Sequence, residues 1–127
     1  MTSRISASHI PASRIRIKRV YEAPDAADGQ RVLVDRLWPR GISKDKAQLQ
    51  QWMKEIAPST ELRTWFGHDP DKWEEFRRRY GEELRAKTEL LAALRELART
   101  APLTLVYSAH DELHNQAVVL REVLLNS

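Results

Sequence analysis

The sequence predicts an α/β domain, with a small, mainly parallel sheet of about three or four strands flanked by helices. Two observations support this prediction. Residues 32–34 and 103–109 are nearly continuous apolar runs, which are typical of strands buried on both faces. Apolar residues at helical spacing fill the stretch between these runs and recur after the second one. Strand, helical crossover, strand and helix in that order indicate parallel pairing of the two apolar strands.

The chain length of 127 residues suits one domain, predicted over residues 13–127 behind a disordered N-terminal tail at residues 1–12. Hydrophobic residues make up 42%, which is too many for a disordered protein. No apolar run has the length of a membrane span. The chain has no cysteine, which excludes disulfides and thiolate metal sites and fits a reducing compartment. We therefore expect a cytoplasmic protein without membrane association.

Three strands are predicted, at residues 14–22, 31–37 and 103–109. The first has apolar residues at positions 15, 17 and 20, and the other two read as fully buried. Pro39 lacks the N–H that a strand ladder needs, and Gly41 permits unusual backbone angles, so a loop should follow the second strand.

Four helices are predicted from their N-cap residues, which are Ser43, Ser59, Asp69 and Asp111. The first helix is expected to run to residue 56, although residues 48–56 also fit a partly extended segment. Gly67 should end the second helix. The third pattern is either one helix or two, with Gly81 and Thr88 as candidate breaks.

The net charge of +3, from 21 basic and 18 acidic side chains, is lower than a dedicated DNA-binding protein would carry. The basic excess lies in the first 40 residues, which hold eight Lys or Arg and four acidic residues. An anionic partner and a solvated sheet edge guarded by charges both explain this excess. The guarded edge is the preferred explanation for residues 14–19.

Polar side chains lie at the carboxyl ends of the second and third predicted strands, where open parallel sheets bind ligands. Asp35, Arg36 and Arg40 lie at the end of the second strand. The end of the third carries Tyr107, Ser108, His110 and Asp111. The planar forks of the two arginines suit a phosphate or carboxylate, and the last helix would add N–H donors at its start. The alternative is an Asp35–arginine ion pair that pins the loop, with a neighbouring tryptophan in the core.

A second polar set lies in the middle of the chain and comprises Lys54, Ser59, Arg63 and His68. Ser59 is better explained as a cap than as a nucleophile, and His68 is either an acid–base group or a loop histidine. His110 and His114 have helical spacing, but Asp111 occupies the place of the zincin glutamate, so no metal site is predicted. With four glycines and no glycine-rich phosphate loop, the sequence indicates no cofactor.

The string Asp35-Arg36-Leu37-Trp38-Pro39-Arg40-Gly41 resembles the YeaO-like branch of the bacterial domain-of-unknown-function family 488. The resemblance extends over residues 14–125. It implies a cytosolic bacterial α/β protein and implies no activity. His110 and His114 lie outside the pattern. Its polar positions in this chain are Asp35, Arg36, Arg40, Lys54, Ser59, Arg63, His68, Tyr107, Asp111 and Asn115.

The sequence leaves two functions open. The first is a site for a small anionic ligand, with or without catalysis. Its candidate binding residues are Arg36, Arg40, Lys54, Ser59, Arg63, Asp111 and Asn115, and its candidate catalytic residues are His68, Tyr107 and Asp35. The second is a nucleic-acid- or protein-binding module without catalysis, using residues 14–19 and 77–79. Glutamates surround residues 77–79, which favours a solvated helix face there. No oligomeric state is predicted.

Overall fold

The computed structural model describes residues 10–126, which form four strands and five α-helices. The strands are β1 (Ile15–Arg19), β2 (Gln30–Leu33), β3 (Gln51–Trp52) and β4 (Leu103–Tyr107). The helices are α1 (Lys44–Ala47), α2 (Thr60–Phe66), α3 (Trp73–Arg85), α4 (Thr88–Thr100) and α5 (Gln116–Leu125). The predicted α/β class is confirmed.

The sheet has the strand order β1-β4-β2-β3, and every pairing is parallel. β4 lies in the interior of the sheet and all five of its residues are buried, as its apolar run predicted. β2 pairs directly with β4, so the two apolar strands are neighbours. Because parallel strands end at the same edge, the residues that follow β2 and β4 meet there.

β1 and β2 are shorter than predicted. The Val34 N–H still donates to the Val106 carbonyl at 3.0 Å, but β4 ends at Tyr107 and offers no partner beyond that point. The chain therefore leaves the sheet before Asp35, and Asp35 stands just beyond the strand end.

The predicted helix from Ser43 to residue 56 is wrong beyond its first turn. Ser43 does cap α1, but Gln48 adopts a left-handed conformation at φ 47° and ends the helix. Gln51–Trp52 then forms β3 at the edge of the sheet, which confirms the extended alternative for this part of the segment. A single 3-10 turn follows at Lys54–Ile56.

The long helical pattern in the second half of the chain forms two helices. Asp69 caps a 3-10 turn that leads into α3, and the break before α4 falls at residues 86–87. Gly81 does not interrupt α3. At 13 residues each, α3 and α4 are the longest helices, and none in residues 10–126 has the length and hydropathy to cross a membrane.

Ser59 and Gly67 bound α2 as predicted, with Gly67 in the left-handed conformation at φ 52°. The prediction that Asp111 caps the last helix is wrong. The Asn115 side chain accepts hydrogen bonds from the N–H groups of Ala117 and Val118 and so starts α5. The Asp111 carboxylate instead caps the turn before it. Both side chains suit an N-cap, so position in the fold decided between them.

The two faces of the sheet are covered unequally. The larger core packs one face of the sheet, including Val32 and Leu105, against apolar side chains of α2 to α5. The opposite face carries a small cluster of Val20, Leu33, Ala47 and Val106. Successive side chains of a strand point to opposite faces, which is why neighbouring residues of β2 contribute to different clusters.

The smaller face also buries Asp28, which no solvent reaches. Both carboxylate oxygens lie 3.1 Å from Lys18 Nζ, and Arg31 Nη1 lies 2.7 Å from Oδ2. Gly29 makes this placement possible, because it takes φ 63° and a Cβ there would lie 2.4 Å from the Pro102 carbonyl oxygen.

The tail predicted at residues 1–12 falls largely on residues 1–9, which lie outside the described residues. Ile10 is only 4% exposed and belongs to the larger core. Ala12–Arg14 forms one turn of 3-10 helix that leads directly into β1.

Candidate functional site

A cavity of about 290 Å³ lies at the edge where β2 and β4 end. The loop at residues 35–40 and the two residues after β4 form part of its wall. The start of α5, residues 57–58 and side chains in and just after α2 complete the wall. This is where open α/β sheets place their ligands. Six of the ten predicted site residues line the cavity, namely Asp35, Arg36, Arg40, Arg63, His68 and Asn115.

Asp35 is buried and incompletely paired. Its Oδ1 accepts a hydrogen bond from Gln116 Nε2, but Oδ2 has no partner in residues 10–126. Burial raises the pKa of Asp35, and the neighbouring Ser108 and Gln116 offset only part of this effect. Asp35 forms no ion pair in the described chain, so the alternative of an Asp35–arginine pair is wrong.

Arg36 braces the segment 55–58 through hydrogen bonds to its backbone. Its Nε and Nη2 donate to the last two carbonyls of the segment at 3.1 and 3.0 Å. Tyr80 and Lys87 donate to the remaining carbonyls at 2.7 Å each. The guanidinium plane of Arg36 is therefore held in place at the cavity wall, and its Nη1 has no protein acceptor in the described residues.

Arg40, Arg63 and His68 lie at the mouth of the cavity and are exposed. Within residues 10–126, none of these side chains forms a hydrogen bond or ion pair. The Arg40 carbonyl accepts a hydrogen bond from the Tyr21 hydroxyl at 2.9 Å, which ties the loop to the end of β1. His68 follows Gly67 with φ 58°, so the end of α2 directs it to this place. The mouth therefore presents two guanidinium groups that a ligand can engage.

The start of α5 forms the wall beside Asp35. The Asn115 Oδ1 accepts from the first turn of the helix, and its Nδ2 donates to the Asp111 carbonyl at 2.9 Å. Asn115 is thus committed to holding the backbone. The positive end of the α5 dipole nevertheless lies at the cavity, where it favours negative charge.

The rest of the wall is apolar. Phe66 and Phe76 stack with their ring centroids 4.2 Å apart and an interplanar angle of 21°. They are 5% and 2% exposed, and both contribute to the cavity lining. Ala57, Pro58 and Ala109 extend this surface. The cavity therefore has a cationic mouth and an apolar interior wall.

Four predicted site residues lie away from the cavity. Lys54 is exposed, with its Nζ 5.2 Å from a tryptophan ring centroid. Ser59 caps α2 and donates to Glu83 Oε2 at 2.6 Å. Tyr107 is 2% exposed within the larger core, where burial raises the pKa of its hydroxyl. Asp111 caps the turn before α5.

His110 and His114 do not come together. His110 is exposed, whereas His114 Nδ1 lies 2.8 Å from Asp111 Oδ2 and its ring packs edge-on against Trp73. The His114 side chain lowers the pKa of Asp111. In the part of the chain that the structure describes, no three His, Asp or Glu residues form a group that could hold a metal ion.

The basic runs outside the cavity are occupied by intramolecular contacts. Arg77, Arg78 and Arg79 all form ion pairs, with glutamates of α3 and of α5. Arg14 and Arg19 donate to backbone carbonyls at 2.8 Å each. Arg16 donates to the Ala27 carbonyl and also lies 3.8 Å from Asp28.

The sequence analysis missed Tyr21, Gln116 and the apolar wall. Gln116 would have been found if Asn115 had been recognised as the cap of α5, because the first helical residue then falls at the strand edge. Phe66 and Phe76 fit the helical core pattern of their own helices, and nothing in that pattern indicates that they border a cavity. Tyr21 reaches the site only because β1 lies beside β4.

Comparison with known proteins identifies relatives over nearly the whole chain. A family model described as "DUF488-N3i: Inactive DUF488-N3 subclade" matches residues 14–127. The uncharacterized protein Rv3073c of Mycobacterium tuberculosis (strain ATCC 25618 / H37Rv) is 46% identical over 112 residues, covering 88% of this chain and 94% of that protein. The uncharacterized protein YeaO of Escherichia coli (strain K12) is 46% identical over 110 residues, covering 87% and 96% respectively. No solved structure matches.

Proposed function

The chain belongs to the Inactive DUF488-N3 subclade and is a YeaO-like DUF488 protein, and from that premise we propose that it binds a small anion without catalysis. The binding site is the cavity at the ends of β2 and β4, and the protein acts in the cytoplasm. The observation that carries the proposal is the mouth of this cavity, where Arg40 and Arg63 have no intramolecular partner in the described residues.

The charge balance of the cavity supports an anionic ligand. Three guanidinium groups and one carboxyl group line the cavity, so positive charge predominates there. Arg36 is already oriented by the segment 55–58, so its remaining donor loses little conformational entropy on binding. Guanidinium groups suit carboxylate and phosphate oxygens because their donors lie in a planar fork.

The absence of catalysis is supported by the family description and by the geometry. The description calls the subclade inactive. Within residues 10–126, His68 forms no hydrogen bond with Ser108 or Asp35, so the cavity holds no nucleophile activated by a base. Tyr107 lies outside the cavity. Catalytic roles for His68, Tyr107 and Asp35 therefore have little support.

The alternative, a nucleic-acid- or protein-binding module, has less support. Such a module needs a surface of accessible cations or exposed stacking rings. The guanidinium groups of residues 77–79 are engaged by glutamates, and those of Arg14 and Arg19 by backbone carbonyls. A binding constant that falls steeply with salt for single-stranded oligonucleotides would favour the alternative.

Isothermal titration with inorganic phosphate, sulfate and acetate at low ionic strength tests the proposal. At least one of these anions should bind at a single site. Arg40→Ala and Arg63→Ala should each weaken binding by about tenfold, since a charge-assisted hydrogen bond contributes roughly 1.5 kcal/mol. Neither variant should unfold the protein, because both side chains are exposed.

Arg85→Ala is the matched control, because Arg85 is exposed, lies outside the cavity and has no side-chain partner in the described chain. It should leave affinity unchanged. Equal losses in all three variants would show nonspecific attraction to a basic protein. Absence of saturable binding by every anion, organic carboxylates included, would rule out the proposed function.

A further inference from the structure

We propose that the ligand of this cavity is a compact organic monocarboxylate with an apolar, ring-sized body. This inference rests on the proposed function and names the ligand class of the same site. It follows from the size of the cavity, from the division of its lining into charged and apolar parts, and from the position of Asp35.

The cavity volume of about 290 Å³ limits the ligand. At the roughly 30 Å³ that a water molecule occupies in the liquid, this volume holds about ten non-hydrogen atoms. An inorganic phosphate or an acetate fills half of it or less. A nucleotide has more than twice that number of atoms and would extend far into solvent. A carboxylate on a six-membered ring matches the volume.

The apolar wall gives a ring a surface to cover. Phe66 and Phe76 contribute a stacked aromatic pair whose accessible part is small, since the two side chains are 5% and 2% exposed, and Pro58 and the partly buried Ala109 flank it. An inorganic anion at the arginines would leave this wall in contact with water. An apolar body removes that surface from water, and the free-energy gain increases with the area it covers.

Asp35 favours a single negative charge on the ligand. Its carboxyl is buried in the cavity wall and has no cationic partner within ion-pair distance in the described chain, and its Oδ2 is without a hydrogen-bond partner there. A head group placed at the mouth lies among Arg36, Arg40 and Arg63, but a second anionic group deeper in the cavity would approach this carboxyl. Close like charges cost free energy, which disfavours ligands with two separate anionic groups, such as dicarboxylates.

Isothermal titration of the full chain with benzoate, phenylacetate, cyclohexanecarboxylate, acetate and inorganic phosphate tests the ligand class. At least one ring carboxylate should bind tenfold or more tightly than acetate and phosphate. Arg40→Ala should weaken the binding of acetate and ring carboxylates by a similar factor, because both ligands place the same head group there.

Ala109→Leu separates the body of the ligand from its head group. Ala109 lines the cavity and is only partly buried, so a larger side chain there occupies the space of the ring. The variant should weaken ring carboxylates at least tenfold and leave acetate unchanged. Ala92→Leu, at an exposed position of α4, is the control and should change neither. If Ala109→Leu fails to fold, nuclear Overhauser contacts from ligand ring protons to Phe66 or Phe76 of the unaltered protein replace it.

The outcomes distinguish the two proposals. Acetate or phosphate binding as tightly as every ring carboxylate, with dependence on Arg40, would overturn the ligand class and keep the anion site. A ring carboxylate that binds tightly but is unaffected by Ala109→Leu, or that shows no contacts to the phenylalanines, would also overturn it. No binding of any anion would remove the proposed function together with this inference.

Discussion

Asp28 and Asp35 are both buried, the first completely and the second with 7% of its surface exposed, yet their surroundings differ. Asp28 lies on the thinly covered face of the sheet among Lys18, Arg31 and the Asp25 N–H, all within 3.1 Å of its carboxylate. Asp35 lies at the cavity with no cation within ion-pair distance in the described chain and one oxygen unpaired.

The pKa values of the two groups move in opposite directions. Burial by itself would raise the pKa of Asp28, but the hydrogen bonds from Lys18, the Asp25 N–H and Arg31 outweigh it and lower that pKa. Burial dominates at Asp35 and raises its pKa. A buried carboxylate stabilises the fold when hydrogen bonds and ion pairs satisfy its oxygens. A buried carboxylate with an unpaired oxygen at a cavity lowers the stability of the fold and so marks a candidate functional site.

The largest expected effect is the loss of the Asp28 charge. Asp28→Asn leaves Arg31 and Lys18 without their anion on a buried face, and we expect the free energy of unfolding to fall by about 3–5 kcal/mol. Urea unfolding monitored by circular dichroism measures it. Asp45→Asn, at an exposed position in the first turn of α1, is the control and should cost less than about 1 kcal/mol. A loss at Asp28 no larger than this control would contradict the structural role.

Arg36→Ala should have the second largest effect. It removes two charge-assisted hydrogen bonds to the segment 55–58, although Lys87 still donates to one of the same carbonyls. We expect a loss of about 2 kcal/mol in the free energy of unfolding. Arg40→Ala, at the same cavity but exposed, should change stability by less than about 0.5 kcal/mol. Equal stabilities of the two variants would show that Arg36 does not brace the loop.

Asp35→Asn should have a smaller effect of the opposite sign. The amide oxygen can still accept from Gln116, and the cost of burying a charge disappears. At pH 7 we expect stability to be unchanged or raised by about 1 kcal/mol. A loss comparable to that of Asp28→Asn in the same urea titration would mean that Asp35 has a cationic partner in solution, and the comparison between the two carboxylates would fail.

The pH dependence of stability gives the smallest but most specific difference. The lowered pKa of Asp28 contributes stability above the ordinary Asp value of 3.8, and this contribution is lost as the pH falls through the lowered pKa. The raised pKa of Asp35 contributes stability below 3.8, and this contribution is lost as the pH rises through the raised pKa. Melting temperatures between about pH 2 and about pH 7 should show that Asp28→Asn flattens the pH dependence below 3.8 and Asp35→Asn the dependence above 3.8. If each variant flattens the opposite side, the assigned directions are wrong.

Local signals predicted the elements that local physics controls. Ser43 and Ser59 cap helices as predicted and Gly67 ends α2, because each effect depends only on the backbone within a few residues. Asp69 caps a 3-10 turn that leads into α3, not the helix that it was expected to cap. The apolar runs of β2 and β4 predicted burial on both faces and hence parallel pairing. The sequence did not decide whether residues 48–56 are helical or extended, because pairing with β2, and not local propensity, ends α1 at Gln48 and forms the edge strand β3.

The candidate site was predicted in outline from one rule, that the residues after neighbouring parallel strands meet. That rule placed Asp35, Arg36 and Arg40 at the cavity, whereas Asn115 was predicted only from the family resemblance, and α2 brought Arg63 and His68 to the cavity. It misplaced Tyr107, whose side chain points into the core because strand residues alternate between faces. Asp111 was misassigned because the helix begins at the next available cap, four residues later.

The sequence alone determined the α/β class, both ends of α2 and the presence of arginines at the edge where two neighbouring strands end. These depend on periodicity, capping and chain direction, which are local properties. Only the tertiary structure decided which charges are satisfied. Asp28 lies three residues before Arg31 and Asp35 directly before Arg36. Asp28 nevertheless pairs with Arg31 and Lys18, whereas Asp35 accepts from Gln116, and packing of the folded chain decided this difference. Charge satisfaction depends on distances between residues far apart in the chain, so the difference between a structural carboxylate and one at a cavity appears only in the folded protein.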